Sequence, residues 1–354
     1  MIRPALLASC LVLFACDEKK APTPAKAAPA APAAPKAGLE APGNDAKVVA
    51  LARKAMTCTF ENSSFDSACA DLKAWEAEQD AFRDNKADAT LVAFLEDPDE
   101  KVRVLGSTRL NGWGAGAFAD KALSERILTV AEQPKGKPSL GQIVGHIRVK
   151  QTGLFPRIKA LLASTEVGNV MRGDVISSLL AANPESDEVF ALTRDLLSDP
   201  ELGRAAFSAL DPGGHSKEQE TCALYAGLLE SADPYLASRS AEKVASFPCP
   251  AHFDTLLESL EARLKAKKVT DGYFCDALAR VCAESEAPEP QKEKALALTH
   301  QIAEDKTIKT PYVRSSAIEA AVACDPEGGK KYIGKFKNDA DADVQQKVTR
   351  LLEK

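Results

Sequence analysis

Residues 91–105 read Leu91-Val92-Ala93-Phe94-Leu95-Glu96-Asp97-Pro98-Asp99-Glu100-Lys101-Val102-Arg103-Val104-Leu105. An apolar run stops at an acidic Asp-Pro turn, and a second amphipathic segment opens with a valine and an arginine and runs on to Leu110. Proline cannot continue a helix but is well suited to begin one, so the stretch spells helix, turn, helix. The phrase returns twice. Leu196-Leu197-Ser198-Asp199-Pro200 leads to Leu202-Gly203-Arg204-Ala205, and Leu228-Leu229-Glu230-Ser231-Ala232-Asp233-Pro234 leads to Leu236-Ala237-Ser238-Arg239. The aspartates of these steps lie 102 and then 34 residues apart, three periods and then one.

Degenerate copies fall where that period projects them. Ser164-Thr165-Glu166 precedes Val170-Met171-Arg172, and Glu304-Asp305 precedes Val313-Arg314. Asn338-Asp339-Ala340-Asp341 precedes Val344-Gln345, with the apolar face continuing through Val348, Leu351 and Leu352. Turn chemistry without the arginine marks two more, around residues 131–137 and 266–271. Strand alternation is almost absent from residue 45 onward. The expected class is therefore all-α: a solenoid of about eight helix pairs, each burying its apolar face against its neighbours.

The phrase of leucines, Asp-Pro and Val-Arg resembles the HEAT-repeat family over residues 85–354. The resemblance implies an α-α superhelix in which turn aspartates and second-helix arginines form a ladder between successive repeats. Asp97, Asp199 and Asp233 with Arg103, Arg204 and Arg239 are the ladder candidates by that likeness. A tetratricopeptide array shares the period, but Trp75 and Trp113 do not recur with it.

The chain's start reads as an address. Arg3 precedes an apolar run from Ala5 to Ala15, too short to span a bilayer and suited to a signal peptide. It ends in Leu13-Phe14-Ala15-Cys16, which resembles the bacterial lipobox and implies cleavage after residue 15 and lipidation of Cys16. Leu7-Ala8-Ser9-Cys10 is a second match, but cleavage there would leave an apolar stretch of only a few residues. Residues 16–44 are the lipidated cysteine and a tether of alanines with Pro22, Pro24, Pro29, Pro32, Pro35 and Pro42. Such spacing forbids a continuous helix and favours polyproline II, reaching roughly 75 Å at ~3.1 Å per residue. Residues 45–84 fit the repeat poorly and are expected to be a helical cap: helices over 48–56 and 68–82 flank a polar loop through Asn62-Ser63-Ser64, with Trp75 and Phe82 on one face.

The 354 residues are 45% apolar, too many for wholesale disorder, and a net charge of −6 gives no electrostatic reason to expect nucleic acid. In an exported protein cysteines are read first as disulfides. Cys58 and Cys69 flank the Asn62 loop and would close it. Cys222 and Cys249 stand at the start and end of one helix pair. Cys282 and Cys324 are read as similarly placed one repeat later, although Cys249 with Cys282 fits as well. Cys275, beside Phe274 and Leu278, is expected to stay free and buried.

Neither a metal nor another cofactor is expected. His146, His215, His252 and His300 are far apart, and no close Cys or His pairs suit zinc. The glycine-rich run from Asn111 to Ala117 follows a helix rather than a strand, which suits a loop and not a phosphate cradle. No nucleophile elbow, P-loop or dinucleotide fingerprint is present. These readings favour a non-enzymatic scaffold, lipid-anchored in the bacterial envelope and facing the periplasm, that binds an envelope protein. No nucleic acid or small-molecule substrate is expected. A HEAT-like lyase or glycosylase and a purely structural spacer are the alternatives.

Overall fold

The structure is a computed structural model and describes residues 38–78, 82, 85–112, 118–133, 140–210, 217–246, 249–284 and 287–353. Residues 1–15, Cys16, most of the proline-rich tether, Trp113 and His215 lie outside the described residues. Of the described residues 72% are helical, in 19 helices, so the all-α expectation holds at that level. The core is one apolar cluster running from Val48 to Leu351.

The first helices are α1 (Ala46–Ala55), α2 (Ala70–Ala77), α3 (Asn85–Leu95) and α4 (Glu100–Asn111). Then come α5 (Lys121–Ala131), α6 (Leu140–Gly145), the single turn α7 (Val149–Thr152), α8 (Phe155–Ala163), α9 (Asn169–Ala182), α10 (Asp187–Leu196) and α11 (Gly203–Ala209). The remainder are α12 (Glu218–Leu228), α13 (Pro234–Ser246), α14 (Phe253–Lys265), α15 (Tyr273–Ala283), α16 (Glu289–Glu304), α17 (Pro311–Cys324), α18 (Pro326–Ile333) and α19 (Ala342–Glu353).

Local chemistry starts these helices where the sequence says. Asp45, Asp99, Asp120, Ser186 and Asp325 each cap a helix by accepting from backbone N–H groups in its first turn. Pro234, Pro311 and Pro326 are first residues of α13, α17 and α18. Leu91, Val92, Ala93, Phe94 and Leu95 are all buried, so the C-terminal part of α3 is covered on all sides rather than along one stripe.

Packing runs between helices close in the chain. Helix α4 contacts α6, α6 contacts α9 and α9 contacts α11, while α13, α15, α17 and α19 contact one another in succession. The α6–α9 approach depends on glycine. A Cβ at Gly141 would sit 2.5 Å from the Met171 carbonyl oxygen, and one at Gly145 would sit 2.8 Å from that of Val175.

Two N-terminal expectations need correction. The polar loop of the cap is a small hairpin, β1 (Phe60–Glu61) with β2 (Ser64–Phe65), pairing Phe60 with Phe65. Asn62 and Ser63 at its tip have φ of 51° and 60°, the twist a two-residue hairpin turn needs. The end of the segment read as tether is also ordered. Residues 38–40 form a 3-10 turn, and the Leu39 N–H donates to Asp97 Oδ2 at 2.6 Å. Gly38 has φ +71°, and a Cβ there would collide with that carboxylate, so only glycine fits.

The cap is pinned through Arg109 of α4. Its guanidinium donates to the Trp75 carbonyl and lies 5.4 Å from the Trp75 ring and 5.2 Å from that of Phe82. The rings of Trp75 and Phe82 meet at 5.2 Å, but not as one helical face: the helix expected over 68–82 spans Ala70–Ala77, and Phe82 lies beyond its end.

Candidate functional site

The proposed ladder residues divide by helical register. Arg103, Arg172 and Arg314 directly follow the buried residues Val102, Met171 and Val313, and each turns back to the end of the preceding helix. Arg103 donates to the carbonyls of Asp97 and Pro98, Arg172 to that of Leu162 and Arg314 to that of Ala303. Arg172 and Arg314 also reach forward, to Glu201 at 2.6 Å and to Asp339 at 3.0 and 2.7 Å. Arg204 and Arg239 stand two and three residues after their buried leucines, Leu202 and Leu236, and so point elsewhere. Arg204 bridges forward to Asp233 at 3.0 and 3.2 Å, a ladder rung of the expected kind.

The other ladder assignments are not rungs. Asp97 accepts from the N–H groups of Leu39 and Asp99, so it organises its own turn and holds residue 39. Asp199 accepts from Glu201 and Leu202 N–H, so it organises the turn that leads into α11. Arg103 spends its donors on backbone carbonyls, and Arg239 pairs with Glu242 one turn along its own helix. Arg172 and Arg314, from degenerate copies, make the forward contacts instead.

The arginines set apart by register meet aromatic rings. Arg204 lies 4.9 Å from the Tyr235 ring, and Arg239 lies 4.5 Å from the Tyr273 ring. The Tyr312 hydroxyl donates to the Thr270 carbonyl at 3.2 Å. Among the described residues the large apolar side chains that are exposed are Val170, Tyr235, Tyr273 and Tyr312, and all four begin a helix: α9, α13, α15 and α17. Sequence reading passed over these tyrosines. Their signal was present, because three of only five tyrosines in the chain stand at the same place in successive units.

Grooves open beside this edge. One, of about 640 Å³, lies between the loop into α13 and the loop into α15, with Glu230, Pro234, Arg263, Lys267, Lys268 and Thr270 on its walls. A second, of about 260 Å³, continues toward the loop into α17 and shares Lys267 and Thr270 with the first. Lys267 has φ +55°, an uncommon left-handed conformation for a side-chain-bearing residue. Asp271, which accepts from the Tyr273 N–H, faces inward, and burial raises its carboxyl above the usual range.

Three disulfides are formed: Cys58–Cys69, Cys222–Cys249 and Cys282–Cys324, with Cα separations of 5.9, 5.6 and 4.8 Å. The last differs from the expected geometry. Cys282 and Cys324 stand at the ends of α15 and α17, so the bridge joins two neighbouring helices of successive units rather than the start and end of one unit. Cys275 is the free cysteine among the described residues. It is fully buried, its Sγ lies 3.6 Å from the Val313 carbonyl, and burial pushes its thiol far above the usual range.

The histidines are not brought together. His146 ends up beside α6, His252 precedes α14, and His300 on α16 stacks on Tyr332 with ring centroids 3.6 Å apart. Burial lowers the imidazole pKa of both His146 and His300, with Lys335 adding to the effect at His300. Among the described residues no group of three or more His, Cys, Asp or Glu side chains is disposed to hold a metal ion, and no helix is long and apolar enough to cross a membrane. The three disulfides are compatible with a compartment outside the cytoplasm. No protein-family model matches the chain, and no curated protein matches it in sequence.

Proposed function

We propose that this chain is a HEAT-like repeat lipoprotein, a non-enzymatic scaffold held on a bacterial membrane through Cys16 and facing the periplasm. The observation that carries the reading is the succession of near-neighbour helix contacts. Helices α3 to α19, with the single turn α7 set aside, can be read as eight pairs whose second members make two runs of successive contacts, α4–α6–α9–α11 and α13–α15–α17–α19. A chain whose contacts are this local gains a long surface for its mass, which suits holding a partner. Forward contacts from Arg172, Arg204 and Arg314 to acids of the following unit fit the ladder that the HEAT likeness implies.

Three disulfides support residence in an oxidising compartment. Multiple acyl chains on one cysteine would anchor the protein stably, and the residues that follow would hold the folded part away from the bilayer. Mass spectrometry of the mature protein tests the address: a tri-acylated N-terminal Cys16 is expected, and an intact Met1 overturns the anchor. In-cell crosslinking tests the scaffold. One discrete crosslinked envelope protein is expected, and the absence of any overturns the reading.

A further inference from the structure

The edge that carries Tyr235, Tyr273 and Tyr312 is cationic, although the whole chain is acidic. The charged groups on the two grooves are Arg263, Lys267, Lys268 and Lys309 against Glu230 and Asp305. The acids are occupied: Glu230 accepts from the Ser259 hydroxyl, and Asp305 accepts from Thr307 through its N–H and its hydroxyl. Arg263 is occupied too, donating to the carbonyls of Leu229 and Ser231. Lys267, Lys268 and Lys309 are exposed and form no ion pair among the described residues. Three exposed ammonium groups without a direct ion pair, of which Lys267 is near enough to help lower the Asp305 carboxyl, thus line a continuous depression bordered by partly exposed tyrosines.

We propose that this edge binds an extended, acidic segment of a partner protein, with carboxylates at Lys267, Lys268 and Lys309 and the peptide's side chains against Tyr235, Tyr273 and Tyr312. The inference rests on the scaffold reading and names the chemistry of its partner. Charge complementarity selects the occupant, since unpaired lysines at a groove attract carboxylates and steer their approach. The chain's own N-terminal segment does not fit, because residues 17–37 carry Lys19, Lys20, Lys26 and Lys36 against Asp17 and Glu18. One face of the Tyr235 ring and one of the Tyr273 ring are covered by guanidinium groups, and the Tyr312 hydroxyl is tied to Thr270, so the ridge is a poor platform for stacking sugars.

The test uses the full chain and a fluorescein-labelled (Glu-Ala)5 peptide, read by fluorescence anisotropy, with (Gln-Ala)5 as the uncharged match. The triple variant Lys267→Glu, Lys268→Glu, Lys309→Glu is expected to weaken binding about tenfold or more, since like charges then face each other. Tyr273→Ala, which changes no charge, is expected to weaken it several-fold. Lys73→Glu, Lys150→Glu, Lys159→Glu, a charge-matched reversal at exposed sites elsewhere, is expected to leave it within twofold. Unchanged far-UV circular dichroism establishes that each variant is folded. Equal binding of the uncharged peptide, an equal loss in the charge-matched control, or no binding of (Glu-Ala)5 overturns the proposal. So does self-association in sedimentation that the lysine reversals abolish, because the occupant would then be a second copy. Failure here with an acylated Cys16 and a discrete crosslinked partner removes only this edge and leaves the scaffold reading standing.

Discussion

Replacing Asp339 by asparagine strips the counter-charge from a guanidinium held inside the fold. The Arg314 and Asp339 side chains are 6% and 5% exposed, and their two hydrogen bonds of 3.0 and 2.7 Å form a parallel fork. With charges ~4 Å apart and an effective dielectric of about 20, the attraction is roughly 4 kcal/mol. Breaking one partner of a buried pair costs about 3–5 kcal/mol by mutational experience, so the two routes agree. Asp339→Asn should therefore lower the unfolding free energy by about 3–5 kcal/mol at neutral pH. Urea unfolding under non-reducing conditions would measure the loss, and hydrogen exchange should show it in 311–324 and 342–353 first. The paired change Arg314→Met with Asp339→Leu should restore much of the loss, because an apolar pair of similar volume avoids burying charge. Acid gives the sign. The hydrogen bond from Arg314 holds the Asp339 carboxyl below its usual range. Its stabilisation is thus complete above the unfolded value near ~3.9 and fades as pH falls through the lower folded value, so wild type and Asp339→Asn should converge in acid. A loss below about 1 kcal/mol, the size of a surface pair, would refute the reasoning, as would a double variant no better than the single one.

Further outcomes follow from the same contacts. Arg204→Ala should shift the unfolding midpoint far less than Asp339→Asn, because the Arg204 side chain is 65% exposed and its pair with Asp233 is screened by water; equal shifts would contradict this. Thiol titration of the mature, non-reduced protein should find no reactive thiol in the native state and one, from Cys275, after denaturation; additional thiols would deny one of the bridges. Removing the Cys222–Cys249 bridge, with a sequence separation of 27, should cost about 3–4 kcal/mol in a chain-entropy treatment, measured as the difference between non-reducing urea curves of wild type and the Cys222→Ser, Cys249→Ser double variant. Arg109→Lys should destabilise the cap and change Trp75 fluorescence, since an ammonium cannot spread against two adjoining rings as a planar guanidinium does; an unchanged spectrum and midpoint would argue against this contact.

The helical class was legible because its signals are local: the Asp-Pro steps at 97, 199 and 233 carry their own turn and cap chemistry. Cys58–Cys69 was legible for the same reason, as the two cysteines flank one short loop. Register was harder. "Val-Arg" and "Leu-Ala-Ser-Arg" look like variants of one phrase, yet a shift of one or two residues along a helix turns the side chain by 100° or 200°. That rotation separates Arg314, buried on Asp339, from Arg239, which lies over Tyr273. Gly141 and Gly145 gave no local sign, because the atoms that exclude a side chain there belong to α9. The hairpin at 60–65 was hidden by its brevity, two residues to a strand. The cationic edge was invisible for another reason: Lys267 and Lys309 become neighbours of one groove only when successive loops are brought side by side.

The Cys282–Cys324 bridge bears on how this chain would yield to a pull. It ties the ends of α15 and α17 together, so α16, α17 and the loops around α16 lie within a covalently closed ring. Tension applied between the chain's ends would bypass that ring altogether. The separation of 42 residues would amount to roughly 140–150 Å of extended chain, and none of it would be released while the bridge holds. Helix α16 could peel away and return while α15 and α17 stay in register beside it, which makes this stretch a shock-resistant segment whose give is fixed by a single covalent bond.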